Sequence, residues 1–258
     1  MKIVILIQAE PFYAPLILER IVEGKREDVA EIVGVTPIND GDLGKNITNY
    51  LHIFGLKEFI LRGVEVAHYH LLDKLSSCYR FKRFYSIEGV AKHYGIKMYH
   101  SSDVNSGRFI EHISKINPDI IVSVGVTQIL KKRLLDIPKR GSINVHSSLL
   151  PRYRGAFPGF WILLNGEKKT GVSVHYMNEK IDGGDIIEQL PFDINDDETF
   201  HSLYLKNARY GGKAVVSALK KISEDKVEII RNDTCEAAYY SIPKRQDGIR
   251  FRKNRKYR

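Results

Sequence analysis

Short runs rich in isoleucine and valine alternate along this chain with segments of helical period, and that alternation limits the fold more than any other feature. Residues 3–7, 29–36, 119–124 and 141–145 are strand-length runs. Being apolar nearly throughout rather than at every second position, they belong in a sheet that is covered on both faces. Between them lie helix-like stretches at 14–23, 87–94 and 105–116, stopped by Gly24, Gly95 and Asn117-Pro118. A further short strand is expected at 96–99, two more at 171–177 and 185–193, and a long helix from 197 to about 221. The expected fold is therefore α/β, a Rossmann-like, mostly parallel sheet with helices on both faces.

The stretch 41–83 breaks this rhythm. It holds two aromatic-rich helical segments, around 50–61 and 68–79, and reads as an inserted helical hairpin or lid, with a packing elaboration that has no chemical role as an equal alternative. From Val227 the chain gives a short strand, a Tyr239-Tyr240 pair and then a basic tail, 250–258, expected to be a solvated terminus, with a phosphate-binding arm as the alternative. This aromatic-rich C-terminal strand pair suits a homodimer interface or a cap on the sheet edge. The division expected is a catalytic domain over 1–225, carrying the insertion, and a C-terminal extension over 226–258.

A hydrophobic fraction of 43% beside 28% charged residues fits a globular chain with a real core. The run 3–7 is too short to cross a membrane and lacks a cleavage signal, so no membrane role is expected. Cys78 and Cys235 lie far apart without metal-ligand spacing, which fits a reducing, cytoplasmic setting and no metal. The net charge of +9 points weakly to an anionic partner.

The chemistry concentrates between Ser142 and Gly184. Asn144 and His146 stand two apart at a strand's end, so they share a face at the carboxyl edge where open parallel sheets bind ligands. A later loop, Asn178-Glu179-Lys180-Ile181-Asp182-Gly183-Gly184, offers a carboxylate beside two glycines. A lone strand-end histidine is more often structural, and Asp-Gly-Gly is usually a turn. Together they supply a neutral donor, a titratable group and a carboxylate to orient it, a set suited to acyl transfer. His175 is read as a packing residue ahead of a supporting role.

The segments Asn144-Val145-His146-Ser147-Ser148-Leu149-Leu150-Pro151-Arg152-Tyr153-Arg154-Gly155, Gly171-Val172-Ser173-Val174-His175 and Ile181-Asp182-Gly183-Gly184-Asp185-Ile186-Ile187 resemble the folate-dependent formyltransferases. That group includes methionyl-tRNA, glycinamide ribonucleotide and sugar N-formyltransferases. The likeness reaches upstream to Ser123–Leu130 and more faintly to the N-terminal strand. It implies catalytic roles for Asn144, His146 and Asp182. It also implies 10-formyltetrahydrofolate as co-substrate, held by Gln128, Ile129 and Leu130 and by Asn178, Lys180 and Ile181. Asn144 and a protonated His146 would then hold an oxyanion, with Asp182 favouring the charged imidazole.

Within the resemblance, Gln8-Ala9-Glu10-Pro11-Phe12 lacks the glycine-rich phosphate loop of the purine-pathway enzymes and carries an acid in its place. About three dozen residues follow Lys221, few for the C-terminal barrel of the tRNA enzymes. The acceptor expected is a small amine, a nucleotide-linked amino sugar ahead of methionyl-tRNA, shaped by the insertion or by residues 157–161. A formyltetrahydrofolate deformylase and an inactive folate- or nucleotide-binding protein are the remaining alternatives.

Overall fold

In chain order, the computed structural model contains β1 (Ile3–Gln8), α1 (Ala14–Lys25), β2 (Val29–Val35), α2 (Leu43–Phe54), α3 (Leu56–Leu75), α4 (Ile87–Tyr94), β3 (Lys97–Ser101), α5 (Gly107–Ile116) and β4 (Ile120–Val124). There follow α6 (Lys132–Leu135), β5 (Ser142–His146), β6 (Arg154–Gly155), α7 (Pro158–Leu164), β7 (Lys169–Tyr176), β8 (Ile186–Asp193), α8 (Phe200–Ser223), β9 (Tyr239–Tyr240) and α9 (Arg245–Lys253). The structure describes residues 1–37, 43–76, 83–232 and 235–253. Cys78 and residues 254–258 of the basic tail lie outside them.

One sheet of seven strands runs in the order β3-β2-β1-β4-β5-β7-β8. Its first five strands are parallel, and β7 and β8 close it antiparallel. The Rossmann-like reading is therefore right, with an antiparallel edge. Alternation along β1 shows how the sheet is buried. Ile3, Ile5 and Ile7 pack on the side of α1, α4, α7 and α8, whereas Val4 and Leu6 pack on the side of α5 and α6 with Phe109, Ile113 and Leu134.

The helices start and stop on local chemistry. Ser86 accepts from the Gly89 N–H at the head of α4, and Gly95, at φ 61°, ends it. Thr199 and Ser202 form a reciprocal cap on α8. On α1, Ala14, Ile17, Leu18, Ile21 and Val22 are buried at helical spacing and face α8 and the sheet.

The strand order reverses between β1 and β4. The crossover through α1 leaves on one face, and the chain returns through α5 on the other. The loops after β1 and β4 are consequently splayed apart at the carboxyl edge of the sheet.

Three expectations need correcting. The insertion breaks not between residues 61 and 68 but at Gly55, whose φ of 86° is costly for other residues, giving a 12-residue α2 and a 20-residue α3. The basic tail is not a solvated terminus as far as Lys253. α9 lies against α2, where a Cβ at Gly248 would fall 2.4 Å from the His52 carbonyl oxygen. Arg252 Nη1 donates to the Ile53 carbonyl at 2.8 Å. Phe251 is buried, its ring stacked on Phe160 with centroids 4.6 Å apart. Of the C-terminal strand pair, Ile230 bridges Ile186 on the edge strand β8, but the Tyr pair does not cap the main sheet. β9 pairs with β6, and Tyr240 stacks on Tyr153.

Phe251→Ala should lower unfolding stability by about 3–5 kcal/mol, because it empties a buried aromatic site. Chemical denaturation checks this; a change near zero would mean that the C-terminal helix does not dock.

Candidate active site

A cavity of about 680 Å³ opens at the carboxyl edge of the sheet, between the splayed loops. One wall comes from β1 and the α1–α8 side: Gln8, Glu10, Tyr13, Tyr204 and Asn207 among others. The opposite wall comes from the loop after β4, residues 124–130, and from residues 177–182. Asn144, His146, His175 and Asp182 all border it. Such a volume suits a small-molecule site.

The β5–β7 ladder sets the reactive groups side by side. Asn144 pairs with His175 and His146 with Ser173 in antiparallel register. Asn144 Nδ2 lies 3.3 Å from His175 Nε2. Asp182 reaches in from the loop after β7. Its Oδ2 lies 3.6 Å from His146 Nδ1 and its Oδ1 lies 3.6 Å from His175 Nε2. The structure thus brings together the three residues named from sequence and adds His175, which the sequence reading placed in packing.

Backbone carbonyls fix both imidazole tautomers. His146 Nε2 lies 2.7 Å from the Tyr153 carbonyl and His175 Nδ1 lies 2.8 Å from the Tyr176 carbonyl. A carbonyl only accepts, so each of these nitrogens carries a proton. In the neutral ring the other nitrogen is bare, and in both rings it faces Asp182. Burial pushes the His146 pKa below its usual 6.5, outweighing the Asp182 carboxylate and the Tyr153 carbonyl, which raise it. Burial thus favours the neutral ring at rest, before any proton arrives from a reacting group. Burial alone would push the Asp182 carboxyl up. The Gly155 N–H and the two imidazoles, once they carry a second proton, outweigh it and hold the group well below the ordinary carboxylate range.

Asp182 is held in position from several sides. Its backbone sits in the left-handed region at φ 47°, which Asp tolerates better than most residues. Oδ2 accepts from the Gly155 N–H at 2.8 Å. Asn232, fully buried, donates Nδ2 to the Asp182 and Gly184 carbonyls at 2.8 and 2.7 Å. Arg154 Nη2 donates to Asn232 Oδ1 at 3.0 Å. Gly184 is dictated by space, since a Cβ there would lie 1.8 Å from the Tyr176 carbonyl oxygen. No local sequence signal singles out Asn232, because its partners lie about fifty positions upstream.

The residues expected to hold folate behave differently from one another. Gln128, Ile129, Leu130, Asn178, Lys180 and Ile181 all border the cavity. The Gln128 side chain is spent on the scaffold: Oε1 accepts from the Val104 N–H, and Nε2 donates to the Thr36 and Ser102 carbonyls. Leu130 is buried among the α5–α6 residues. Asn178 closes its own loop by accepting from the Lys180 N–H at 2.9 Å. Ile129 and Ile181 instead leave large apolar side chains exposed, 60% and 48%, at the cavity. Exposed apolar side chains beside open loop backbone suit a flat heteroaromatic ring.

On the other wall, the Glu10 carboxylate folds back onto the start of α1 and accepts from the Phe12 and Tyr13 N–H groups at 2.8 and 2.7 Å, and also from Ala14 N–H. Burial pushes the Glu10 pKa up against these donors. The helix N-terminus is thus already filled by a carboxylate, an anion of the chain's own. Among the described residues, none from 43–76 borders the cavity. The insertion supports it from behind, with Tyr69 edge-on to Phe12 and Arg83 Nη2 donating to the Phe12 carbonyl. Of 157–161, Phe157 and Pro158 border the cavity, whereas Trp161 donates Nε1 to the Ser241 carbonyl.

The formyl transferase family matches residues 1–219. The chain belongs to that family. A methionyl-tRNA formyltransferase of Kosmotoga olearia is 36% identical over 163 residues, 63% of this chain and 52% of that protein. One from Clostridioides difficile is 43% identical over 129 residues, covering 50% and 42% of the two chains. The chain thus spans about half the length of the curated methionyl-tRNA formyltransferases it matches. Among solved structures, an N-formyltransferase of Helicobacter canadensis in complex with folinic acid and dTDP-3-aminofucose superposes with a TM-score of 0.60 at 23% identity, covering 96% of this chain and 72% of that one. A glycinamide ribonucleotide transformylase of Symbiobacterium toebii gives 0.62 at 17% identity, covering 90% and 92%. Those two likenesses concern the fold. No helix among the described residues is long and apolar enough to cross a membrane.

Asn232→Ala should cost about 1–3 kcal/mol for each buried carbonyl left without a partner. By loosening the Asp182 loop it should also lower turnover about tenfold to a hundredfold. Denaturation and initial rates check both; unchanged values would remove Asn232 from the site's support.

Proposed function

We propose that this chain transfers a formyl group from 10-formyltetrahydrofolate to a primary amine, with a nucleotide-linked amino sugar as the acceptor. The observation that carries the reading is the convergence of Asn144, His146, His175 and Asp182 on one cavity, with one nitrogen of each imidazole turned to a single carboxylate. Family membership over residues 1–219 supports the reaction class. The folate would lie against residues 128–130 and 178–182, where Ile129 and Ile181 offer apolar cover, and it supplies the formyl carbon.

His146 Nδ1, unprotonated at rest, accepts the proton that the attacking amine loses, and Asp182 stabilises the resulting imidazolium. Asn144 Nδ2 donates to the carbonyl oxygen as negative charge grows there, a role worth about 3 kcal/mol of barrier in comparable sites. The His146 imidazolium then returns its proton to the departing nitrogen as the carbon–nitrogen bond breaks, which restores the neutral ring. His175, bonded to Asn144 and facing Asp182, positions both.

For the acceptor, Tyr13, Phe157, Phe200, Tyr204 and Tyr239 line the cavity with flat surfaces suited to sugar and base rings. Glu10 occupies the helix N-terminus where a terminal phosphate would otherwise dock, which disfavours a phosphoribosyl acceptor. Methionyl-tRNA is the second reading, favoured by the 36% identity to the Kosmotoga olearia enzyme and by the charge of +9. A rate assay offering dTDP-, UDP- and GDP-amino sugars against Met-tRNA, with tetrahydrofolate release monitored, separates the two. Formylation of Met-tRNA alone would end the sugar reading.

His146→Ala and Asp182→Asn should each lower turnover by at least about a thousandfold with the fold intact. The acid limb of the wild-type kcat/KM profile should fall below pH 6.5, the ordinary histidine value, because burial favours the neutral base. Near-full rates in either variant, or an acid limb above 6.5, would contradict these roles.

A further inference from the structure

The buried stripe of α8 runs from Leu203 to Ile222 through small and aliphatic residues, and Asn207 is its single polar side chain. A helix facing a core has no use for an amide at that position, where leucine would satisfy the pattern. Asn207 is 3% exposed, and neither its Oδ1 nor its Nδ2 has a hydrogen-bond partner. An amide that can make up to four hydrogen bonds and makes none is expensive to bury. It persists at low cost only where something outside the chain completes it.

Its place in the cavity indicates what that is. Asn207 borders the cavity with Ala14, Ile17, Tyr204 and Ala208. One turn further along α8 the helix closes on its neighbours. A Cβ at Gly211 would fall 2.9 Å from Ile17 Cδ1 and 3.3 Å from Val145 Cγ2. Asn207 therefore stands at the inner end of the cavity's α1–α8 side. Residues 128–130 belong to the other side, where Leu130 packs with the α5–α6 residues. Given the folate placement proposed above, on which this inference rests, the α1–α8 side is left to the acceptor.

We propose that the Asn207 amide binds the non-reacting part of the acceptor, pairing with hydroxyl groups of a hydroxylated amine such as an amino-sugar ring. A hydroxyl both donates and accepts, so adjacent hydroxyls satisfy Oδ1 and Nδ2 together. Tyr13 and Tyr204 border the same part of the cavity and supply apolar faces for the ring. Asn207 is then a positioning and specificity residue. It makes no bond to the reacting atoms and selects acceptors by what a missing hydroxyl leaves unpaired.

The test is Asn207→Leu, which keeps the size and removes the hydrogen bonding. With the acceptor that the wild-type enzyme turns over, its KM should rise about tenfold or more, while the KM for 10-formyltetrahydrofolate stays unchanged and the thermal midpoint holds or rises. The wild type should also discriminate against a deoxy analogue of that acceptor, and the variant should not. An unchanged acceptor KM, or a loss confined to thermal stability, would overturn the proposal. Should the variant fail to fold, the Asn207 side-chain amide signal in 15N spectra of the wild type, saturated with 5-formyltetrahydrofolate, reads the same point. It should move on titration with dTDP-3-aminofucose, and a static signal would overturn the proposal. Wild-type protein that formylates no amine refutes the proposed function on separate grounds, and the titration still decides the role of Asn207.

Discussion

Asp182 sits between two imidazoles that each turn toward it the nitrogen no backbone carbonyl engages, and the rest of the site depends on that arrangement. The opposite nitrogen of each ring is engaged by a backbone carbonyl, that of Tyr153 or of Tyr176. The carboxylate stays ionised, and the first proton delivered to the site finds a basic nitrogen beside a negative charge. Burial keeps His146 neutral until that proton arrives. A general base poised in this way needs a fixed carboxylate more than a strong one. This accounts for how many contacts converge on the Asp182 loop: the Gly155 N–H, the two bonds from Asn232, and the close approach at Gly184.

The sheet delivers these groups by register. β5 and β7 are antiparallel neighbours, so Asn144 and His175 face each other across one rung. The reversal of strand order between β1 and β4 opens the cavity and gives it two chemically different walls. One is loop backbone with exposed isoleucines; the other is helical, aromatic and closed at its base by Asn207 and at α1 by Glu10. A transferase for two substrates needs two such walls meeting at one set of reactive atoms. Here they meet at the tips of β5 and β7.

Much of this was legible in the sequence because it rests on local rules. Continuous apolar runs and period-3.6 patterns placed the main-sheet strands and α1, α4, α5 and α8 within a few residues, since the runs are long and their stops are Gly, Asn and Pro. Asn144, His146 and Asp182 stood out because strand-end spacing and a paired-glycine loop are local signals. What escaped the sequence depends on contacts between distant segments. His175 looks like any alternating strand residue until β7 is paired with β5. Asn232 and Arg154 act only once residues 154, 182 and 232 are adjacent. The helix break at Gly55 was obscured because aromatic residues run through both sides of it. α9 was missed because a stretch dominated by Arg and Lys reads as solvated, whereas a single Phe251 in a ring cluster and an Arg252 bonded to backbone carbonyls are enough to dock it.

The most direct test of this account is the protonation state of His146 itself, followed by 15N-resolved NMR of the imidazole across a pH titration. The account predicts a neutral ring at pH 7 with its proton on Nε2 and a titration midpoint below 6.5. A proton on Nδ1 at neutral pH, or a midpoint above 6.5, would contradict it.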